Sequence, residues 1–283
     1  MAWWRKAAAW VMALLIGWGT AHCAVKAADS ISGLFINVGS ADAAVFFLGE
    51  KTYLVDTGTR ESVPNLLTAL RACRVARLWG VMITHPHSDH LGGLKALLKS
   101  GIQVDHLYAP AIHNEKSNKK HPVYKAAKDN NIPITWLSVG DVILVEDQYR
   151  FTVLGPIRRD EEDENNNSLV LRLQTPEGSM LLTGDMLCEE ENDLIQTGSE
   201  LQAEVLKVGH HGKDDASGAA FLARVKPTLA VVSTGSEKGK AAVDAKVIRA
   251  LWDSGASMVT TQDADLGLRV TLSGGEVIVE RIN

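Results

Sequence analysis

The chain has 283 residues, 46% of them hydrophobic and 22% charged, and a formal net charge of −5. That length and apolar content suit a globular domain with a substantial core and exclude a disordered or fibrous chain. The acidic balance argues against tight, sequence-independent binding of duplex DNA, which depends on many phosphate contacts from Lys and Arg.

Residues 1–27 read as a signal peptide, not as part of the fold. Arg5 and Lys6 make a basic start, and Ala7 to Ala21 is an apolar run. Val25-Lys26-Ala27 then presents small residues for cleavage before Ala28. The apolar run is shorter than the roughly 20 residues that span a bilayer, and His22 directly before Cys23 argues against lipoprotein processing. The expectation is export to a periplasm or the medium, with no stable membrane insertion after cleavage; an uncleaved anchor is the alternative. Loss of the three cations Arg5, Lys6 and Lys26 takes the formal charge from −5 to −8.

Residues 28–283 read as one domain without internal repeats. Phe35–Val38, Ala44–Leu48 and Thr52–Val55 have strand character, and Ser62–Arg74 that of a first helix. Leu78–Thr84 is an apolar run of strand length. Leu91, Leu94, Leu97 and Leu98 recur at helical spacing after Gly92-Gly93, whose lack of a β-carbon is expected to let the backbone pass close to a metal centre. Short strands at Leu107–Tyr108 and Ile134–Leu137 flank a helix near Val123–Asn130. Val142–Val145, Tyr149–Leu154, Leu169–Gln174 and Met180–Leu182 are predicted to build a second sheet. Helices near Leu187–Thr197, Ala216–Arg224 and Asp244–Ser254 alternate with strands at Val205–Val208 and Leu229–Ser233. Met258–Thr261, Leu268–Leu272 and Val277–Arg281 close the chain, with a hairpin around Ser273-Gly274-Gly275. Cys73 and Cys188, both in predicted helices, are expected to be free, buried thiols.

Between the strand ending at Thr84 and the helix entered at Leu91 lies H-P-H-S-D-H, which compresses His85, His87, Asp89 and His90 into six residues. Packing three imidazoles and a carboxylate this tightly is costly unless a cation collects them. Zinc takes His nitrogen and Asp oxygen, and manganese and iron accept the same donors. The spacing suits two ions: His85 and His87 can face one, and Asp89 and His90, a turn further on, a second.

Strand, T-H-P-H-S-D-H-L-G-G, then helix resembles the signature of the metallo-β-lactamase superfamily. The resemblance implies an α/β fold, an αββα four-layer sandwich of two mixed β-sheets flanked by helices, with a binuclear centre at one edge. Tyr53-Leu54-Val55-Asp56-Thr57-Gly58 resembles the superfamily's early strand and turn, whose Asp supports the metal loop through hydrogen bonds. Leu181-Leu182-Thr183-Gly184-Asp185 resembles the strand ending in the Asp that bridges the two ions. Leu206-Lys207-Val208-Gly209-His210-His211-Gly212 resembles the strand carrying the last histidine to the second ion. Asn37-Val38-Gly39-Ser40-Ala41-Asp42-Ala43 and Asn166-Asn167-Ser168-Leu169-Val170-Leu171-Arg172 are similar to one branch in particular. That branch is the hydrolase domain at the end of DNA-uptake competence membrane proteins, with its free-standing exported relatives. The resemblance runs from about Gly33 to the C-terminus.

Two departures from the superfamily pattern stand out. The usual third histidine of the first ion is missing; Asn165-Asn166-Asn167-Ser168 falls at that position, so the first ion is expected to be weak or partly occupied. His106, His113 and His121 lie in the same interval and read as surface or packing residues. The loop that often carries a late histidine is Ser236-Glu237-Lys238-Gly239-Lys240. Because consecutive strand residues face opposite ways, only one of His210 and His211 is expected to bind metal. The reading favours His210, leaving His211 as a supporting or substrate-contacting group.

The expected ligands are therefore His85, His87, Asp89, His90, Asp185 and His210, holding two divalent ions, Zn or Mn. Asp89, Asp185 and His211 are the expected catalytic groups. The inferred reaction is hydrolysis by a metal-activated hydroxide, oriented by Asp89. The resemblance implies a phosphodiesterase or nuclease-like activity on a small-molecule or nucleic-acid phosphodiester. The alternatives are a carboxylic ester, lactone or β-lactam hydrolase on the same site, and a metal-binding accessory protein without turnover.

Overall fold

Alternating apolar residues give a strand two faces to cover, and this chain covers both faces of two sheets. The structure is a computed structural model that describes residues 31–235 and 243–283. The expected leader, residues 1–27, and the loop 236–240 lie outside the described residues.

The first half comprises β1 (Ile31–Ile36), β2 (Ala44–Leu48), β3 (Lys51–Val55), α1 (Val63–Ala72), β4 (Arg77–Leu78), β5 (Gly80–Met82), α2 (Ser88–Leu91), α3 (Leu94–Leu97), β6 (Gln103–Val104), β7 (Leu107–Pro110), α4 (Pro122–Asn130) and β8 (Ile134–Leu137). The second comprises β9 (Val142–Glu146), β10 (Tyr149–Gly155), β11 (Val170–Thr175), β12 (Gly178–Leu182), α5 (Cys188–Thr197), β13 (Val205–Lys207), α6 (Ala219–Val225), β14 (Leu229–Val232), α7 (Ala245–Ser254), β15 (Ser257–Thr260), β16 (Gly267–Ser273) and β17 (Glu276–Ile282). An eight-stranded sheet runs β17-β16-β1-β2-β3-β5-β7-β8, and a seven-stranded sheet runs β15-β14-β13-β12-β11-β10-β9. The closing hairpin β16–β17 therefore returns to the first sheet, where β16 pairs antiparallel with β1.

Three apolar layers separate the four structural ones. Leu34, Ile36 and Val45 face Leu66, Leu70 and Leu97 on the helical side of the first sheet. The intervening Phe35, Phe46 and Leu48 meet Phe151, Leu171 and Leu182 of the second sheet. Beyond it, Leu181, Leu206 and Val232 pack on Leu194, Phe221 and Leu251 of α5, α6 and α7. This is the αββα sandwich. Across the central layer, Phe46 lies edge-on to both Phe35 and Phe151, at 6.0 and 6.1 Å between ring centroids, an arrangement favoured by the ring quadrupoles.

The strand expected over Leu78–Thr84 is broken at Trp79, because Arg77–Leu78 pair with β6 in a separate parallel pair while β5 joins the main sheet. The helix expected from Leu91 begins at Ser88 and is interrupted at Gly92-Gly93. Those glycines serve packing: a β-carbon at Gly92 would collide with the backbone of Thr59 and Arg60, and one at Gly93 with the Thr57 carbonyl. The expectation of two free thiols is corrected at Cys73, which is disulfide-bonded, whereas Cys188 is free and half-buried. The two do not pair with each other, because Cys73 ends α1 on one outer layer and Cys188 opens α5 on the other. Among the described residues no helix is long and apolar enough to cross a membrane.

Replacing the fully buried Phe151 by Ala should remove about 3–5 kcal/mol of stability through lost contacts and an unfilled cavity. Urea unfolding should show it as a lower midpoint with an unchanged slope.

Candidate metal centre

Parallel strands bring their carboxyl ends to one edge of each sheet. There β3 and β5 run parallel in the first sheet, and β12, β13 and β14 in the second. In sheets of this kind ligands gather in the crevice outside those ends. Asp56 follows β3, His85 follows β5, Asp185 follows β12, and His210-His211 follow β13.

Asp56 organises the first-sheet side. It adopts a left-handed backbone, φ 59°, and its carboxylate accepts the Thr84 backbone N–H and the Thr84 hydroxyl, each at 2.8 Å. It also binds His90 Nδ1 at 2.8 Å, leaving Nε2 of that ring to face inward. His85 is fixed in the same way. Its Nδ1 lies 3.2 Å from both Thr84 Oγ1 and Ser168 Oγ, so its Nε2 faces His87 Nδ1 at 3.0 Å. Across the crevice, His211 Nδ1 donates to the Ser233 carbonyl at 3.0 Å, and its Nε2 turns inward. One nitrogen of each of these three rings is tied to a hydrogen-bonding partner, an arrangement that orients imidazoles toward a metal.

The inward atoms converge. His90 Nε2 is 3.1 Å from Asp185 Oδ1, and His211 Nε2 is 3.3 Å from Asp185 Oδ2 and 3.4 Å from Asp89 Oδ2. Donor atoms of Asp89, His90, Asp185 and His211 all lie within 4.8 Å of one another. Even so, His90 Nε2, His211 Nε2 and Asp185 Oδ1 are buried without a properly directed hydrogen bond. Such orphans are rare in native interiors, and an ion is one of the few things that explains them. The donor set of imidazole nitrogen and carboxylate oxygen fits a divalent transition metal.

Electrostatics point the same way. Burial works against a charge on His90, but Asp185 and Asp56 overcome it and hold its pKa well above the ordinary histidine value. Against the same burial, Asp185 and Asp42 push His211 up to about 9. Burial also opposes ionisation of Asp185, yet His90 and His211 hold its carboxyl well below the usual range. Both histidine shifts favour protonated imidazoles beside the carboxylates, positive charge that a bound divalent cation would supply in their place.

The placement of His210 and His211 reverses the sequence-based preference for His210 as ligand. β13 ends at Lys207, and both histidines occupy a left-handed turn, with φ/ψ of 44°/44° and 54°/24°. Strand alternation therefore does not govern them. The turn directs His211 at Asp89 and Asp185, while His210 Nε2 stays 4.0 Å from Asp185 Oδ2. Two consecutive non-glycine residues in this region cost of order 1–3 kcal/mol each. Ser168 reaches the site, accepting the Asp185 backbone N–H at 3.2 Å as well as contacting His85. His113 and His121 lie elsewhere, packed against Trp136 with His121 edge-on, and His106 pairs with Thr135.

Asp42 and Lys207 were assigned no role from sequence. Lys207 Nζ lies 2.8 Å from Asp42 Oδ2, and both side chains are buried. Asp42 Oδ1 is 3.7 Å from His211 Nδ1, and its backbone N–H donates to the Asp89 carbonyl at 3.1 Å. The pair thus links the His-rich loop to the strand preceding His211. A signal was present: a lysine inside the apolar run Val205–Val208 must find a buried partner.

The Metallo-beta-lactamase superfamily profile matches residues 36–236. The chain belongs to that superfamily. It is 34% identical over 171 residues to ComE operon protein 3 of Bacillus subtilis, covering 60% of this chain and 22% of that protein. It is 30% identical over 216 residues to Competence protein ComA of Neisseria gonorrhoeae, covering 76% of this chain and 27% of that one. The chain thus spans about a quarter of the length of these curated relatives. Among solved structures, the diiron β-hydroxylase CmlA of Streptomyces venezuelae shares the fold, with a TM-score of 0.55 at 12% identity, covering 87% of this chain and 54% of that one.

His211→Ala should lower the metal content of the purified protein, measured by elemental analysis, whereas His210→Ala should not. Asp56→Asn, which removes the anion behind His90, should weaken metal binding by about 10–100-fold in a chelator competition titration.

Proposed function

We propose that this protein is an exported, metal-dependent phosphodiesterase with nuclease-like chemistry. The reading is carried by the convergence of His90 Nε2, His211 Nε2 and Asp185 Oδ1 as buried atoms without directed hydrogen bonds, and it is supported by similarity to competence proteins. Export is supported by the basic, apolar and small-residue order of residues 1–27.

His90, Asp89, Asp185 and His211 would hold one ion, and His85, His87 and Asp185 a second with fewer protein donors. Divalent cations bound there supply Lewis acidity and lower the pKa of water to about 7. The chain's own groups do the positioning. Asp89 is the ligand-set carboxylate with solvent access, its side chain 32% exposed, and it orients the attacking water through its outer oxygen. Asp56, Ser168 and the Ser233 carbonyl fix the rings of His90, His85 and His211, so the donors need no rearrangement when substrate arrives. The substrate is a phosphodiester of single-stranded nucleic acid, a nucleotide, or a wall or lipid component. Tight duplex binding is not part of the proposal, given the acidic balance of the chain.

Hydrolysis of bis(p-nitrophenyl) phosphate should be lost on chelation and return with Zn or Mn. Asp89→Ala should reduce it by about a hundredfold or more while circular dichroism and the melting transition stay close to wild type. Turnover of nitrocefin or p-nitrophenyl esters in place of the diester would overturn the proposal in favour of carbonyl chemistry. Full metal content without turnover on either panel would leave an accessory protein.

A further inference from the structure

The left-handed turn that carries the two histidines runs directly into Lys213, whose ammonium is held in place. Lys213 Nζ donates to His210 Nε2 at 2.6 Å, and His210 Nδ1 donates to Asp215 Oδ1 at 2.8 Å. The contact with Asp215 selects the tautomer whose Nε2 can accept from a lysine. The chain of three begins at Asp215, 46% exposed, passes through an imidazole only 10% exposed, and ends on an exposed cation. His210 Nε2 lies 4.0 Å from Asp185 Oδ2, so the ammonium stands one hydrogen bond back from the ligand set. An ammonium has three donors, and His210 uses one.

His210 needs partners because it is buried, but the Lys213 end of the chain is exposed, where a polar pair contributes only about 0–1 kcal/mol. The neighbouring charges are already engaged. Lys207 is turned inward to Asp42 and the Val208 carbonyl, both at 2.8 Å, and Asp214 pairs with Lys246 at 2.6 Å. Lys213 instead keeps donors available at the rim of the centre.

We propose that Lys213 is the anion-contacting residue of the substrate site. It hydrogen-bonds a non-bridging oxygen of the scissile phosphodiester, with His210 and Asp215 as positioning residues that hold its ammonium. This rests on the phosphodiesterase reading above and narrows it to substrates whose negative charge sits on the reacting group. Neutral carboxylic esters and lactones offer no such partner.

The test uses the metal-loaded protein with Lys213→Ala, Lys213→Arg and Asp215→Asn. Kinetics are read on bis(p-nitrophenyl) phosphate, a single-stranded oligonucleotide and a glycerophosphodiester. Dimethyl phosphate binding by calorimetry and metal content are measured alongside. Lys213→Ala should raise KM about tenfold on all the diesters that wild type cleaves, with kcat changed less than about threefold, as expected for loss of a hydrogen bond between charged groups. The salt dependence of KM should flatten, Lys213→Arg should recover most of the loss, and Asp215→Asn should raise KM by a smaller factor. An unchanged KM in Lys213→Ala, with wild type active on diesters, would overturn this inference and leave the phosphodiesterase reading intact. So would a rise confined to the oligonucleotide, which would place Lys213 on a flanking phosphate. A gain of metal in Lys213→Ala would also overturn it, because the lysine would then be masking a ligand nitrogen of His210. If wild type cleaves no diester but binds dimethyl phosphate through Lys213, the anion site stands and the reading of the activity falls. If it neither cleaves nor binds, both fall.

Discussion

Negative charge concentrated where water is scarce is the constraint around which this molecule is arranged. Asp42, Asp56 and Asp185 are buried at the crevice between the sheets, and Asp89 borders it. Carboxylates crowded this closely cannot remain ionised without compensation. The chain supplies some of it, with Lys207 against Asp42 and His90 between Asp56 and Asp185. The remainder falls to what the inward-facing imidazole and carboxylate atoms can collect, and their chemistry is that of a divalent cation site.

The same requirement explains how the two halves are registered. Neither sheet contains the whole site: His85, His87, Asp89 and His90 belong to the first, Asp185 and His211 to the second. Polar contacts tie the halves together at this edge. Ser168 reaches over to His85, the Leu169 backbone N–H donates to the Thr84 carbonyl at 2.9 Å, and Lys207 reaches Asp42. The aromatic layer of Phe35, Phe46 and Phe151 holds the sheets together behind these polar links. Backbone strain at Asp56, His210 and His211 is located at the same place, as expected where packing over-determines a functional geometry.

Much of the first half of the site was legible from residue order. A strand, six residues holding three histidines and an aspartate, and a helix must bring His85, His87, Asp89 and His90 close together, because so short a segment cannot separate them. The Leu181–Asp185 and Leu206–Gly212 blocks were assigned to the site by resemblance alone, and the fold brings Asp185 and His211 to the crevice beside His90. The choice between His210 and His211 was not legible, because it depends on two left-handed residues whose strain is offset only by surrounding contacts. Gly92 and Gly93 were read as making room for a metal, and they make room for the Thr57–Arg60 backbone.

By itself, the amino-acid sequence determined the elements and the donor types: periodicity is local, and so is a ligand cluster confined to one loop. Tertiary structure alone decided which nitrogen of which ring faces the centre, that Asp42 answers Lys207, and that Lys213 is held by His210 and Asp215. Except for the last, these contacts join residues far apart in the chain. The last depends on a turn of two consecutive left-handed residues, His210 and His211. The long-range ones are therefore set by packing energies spread over the whole sandwich, which no local stretch of residues contains.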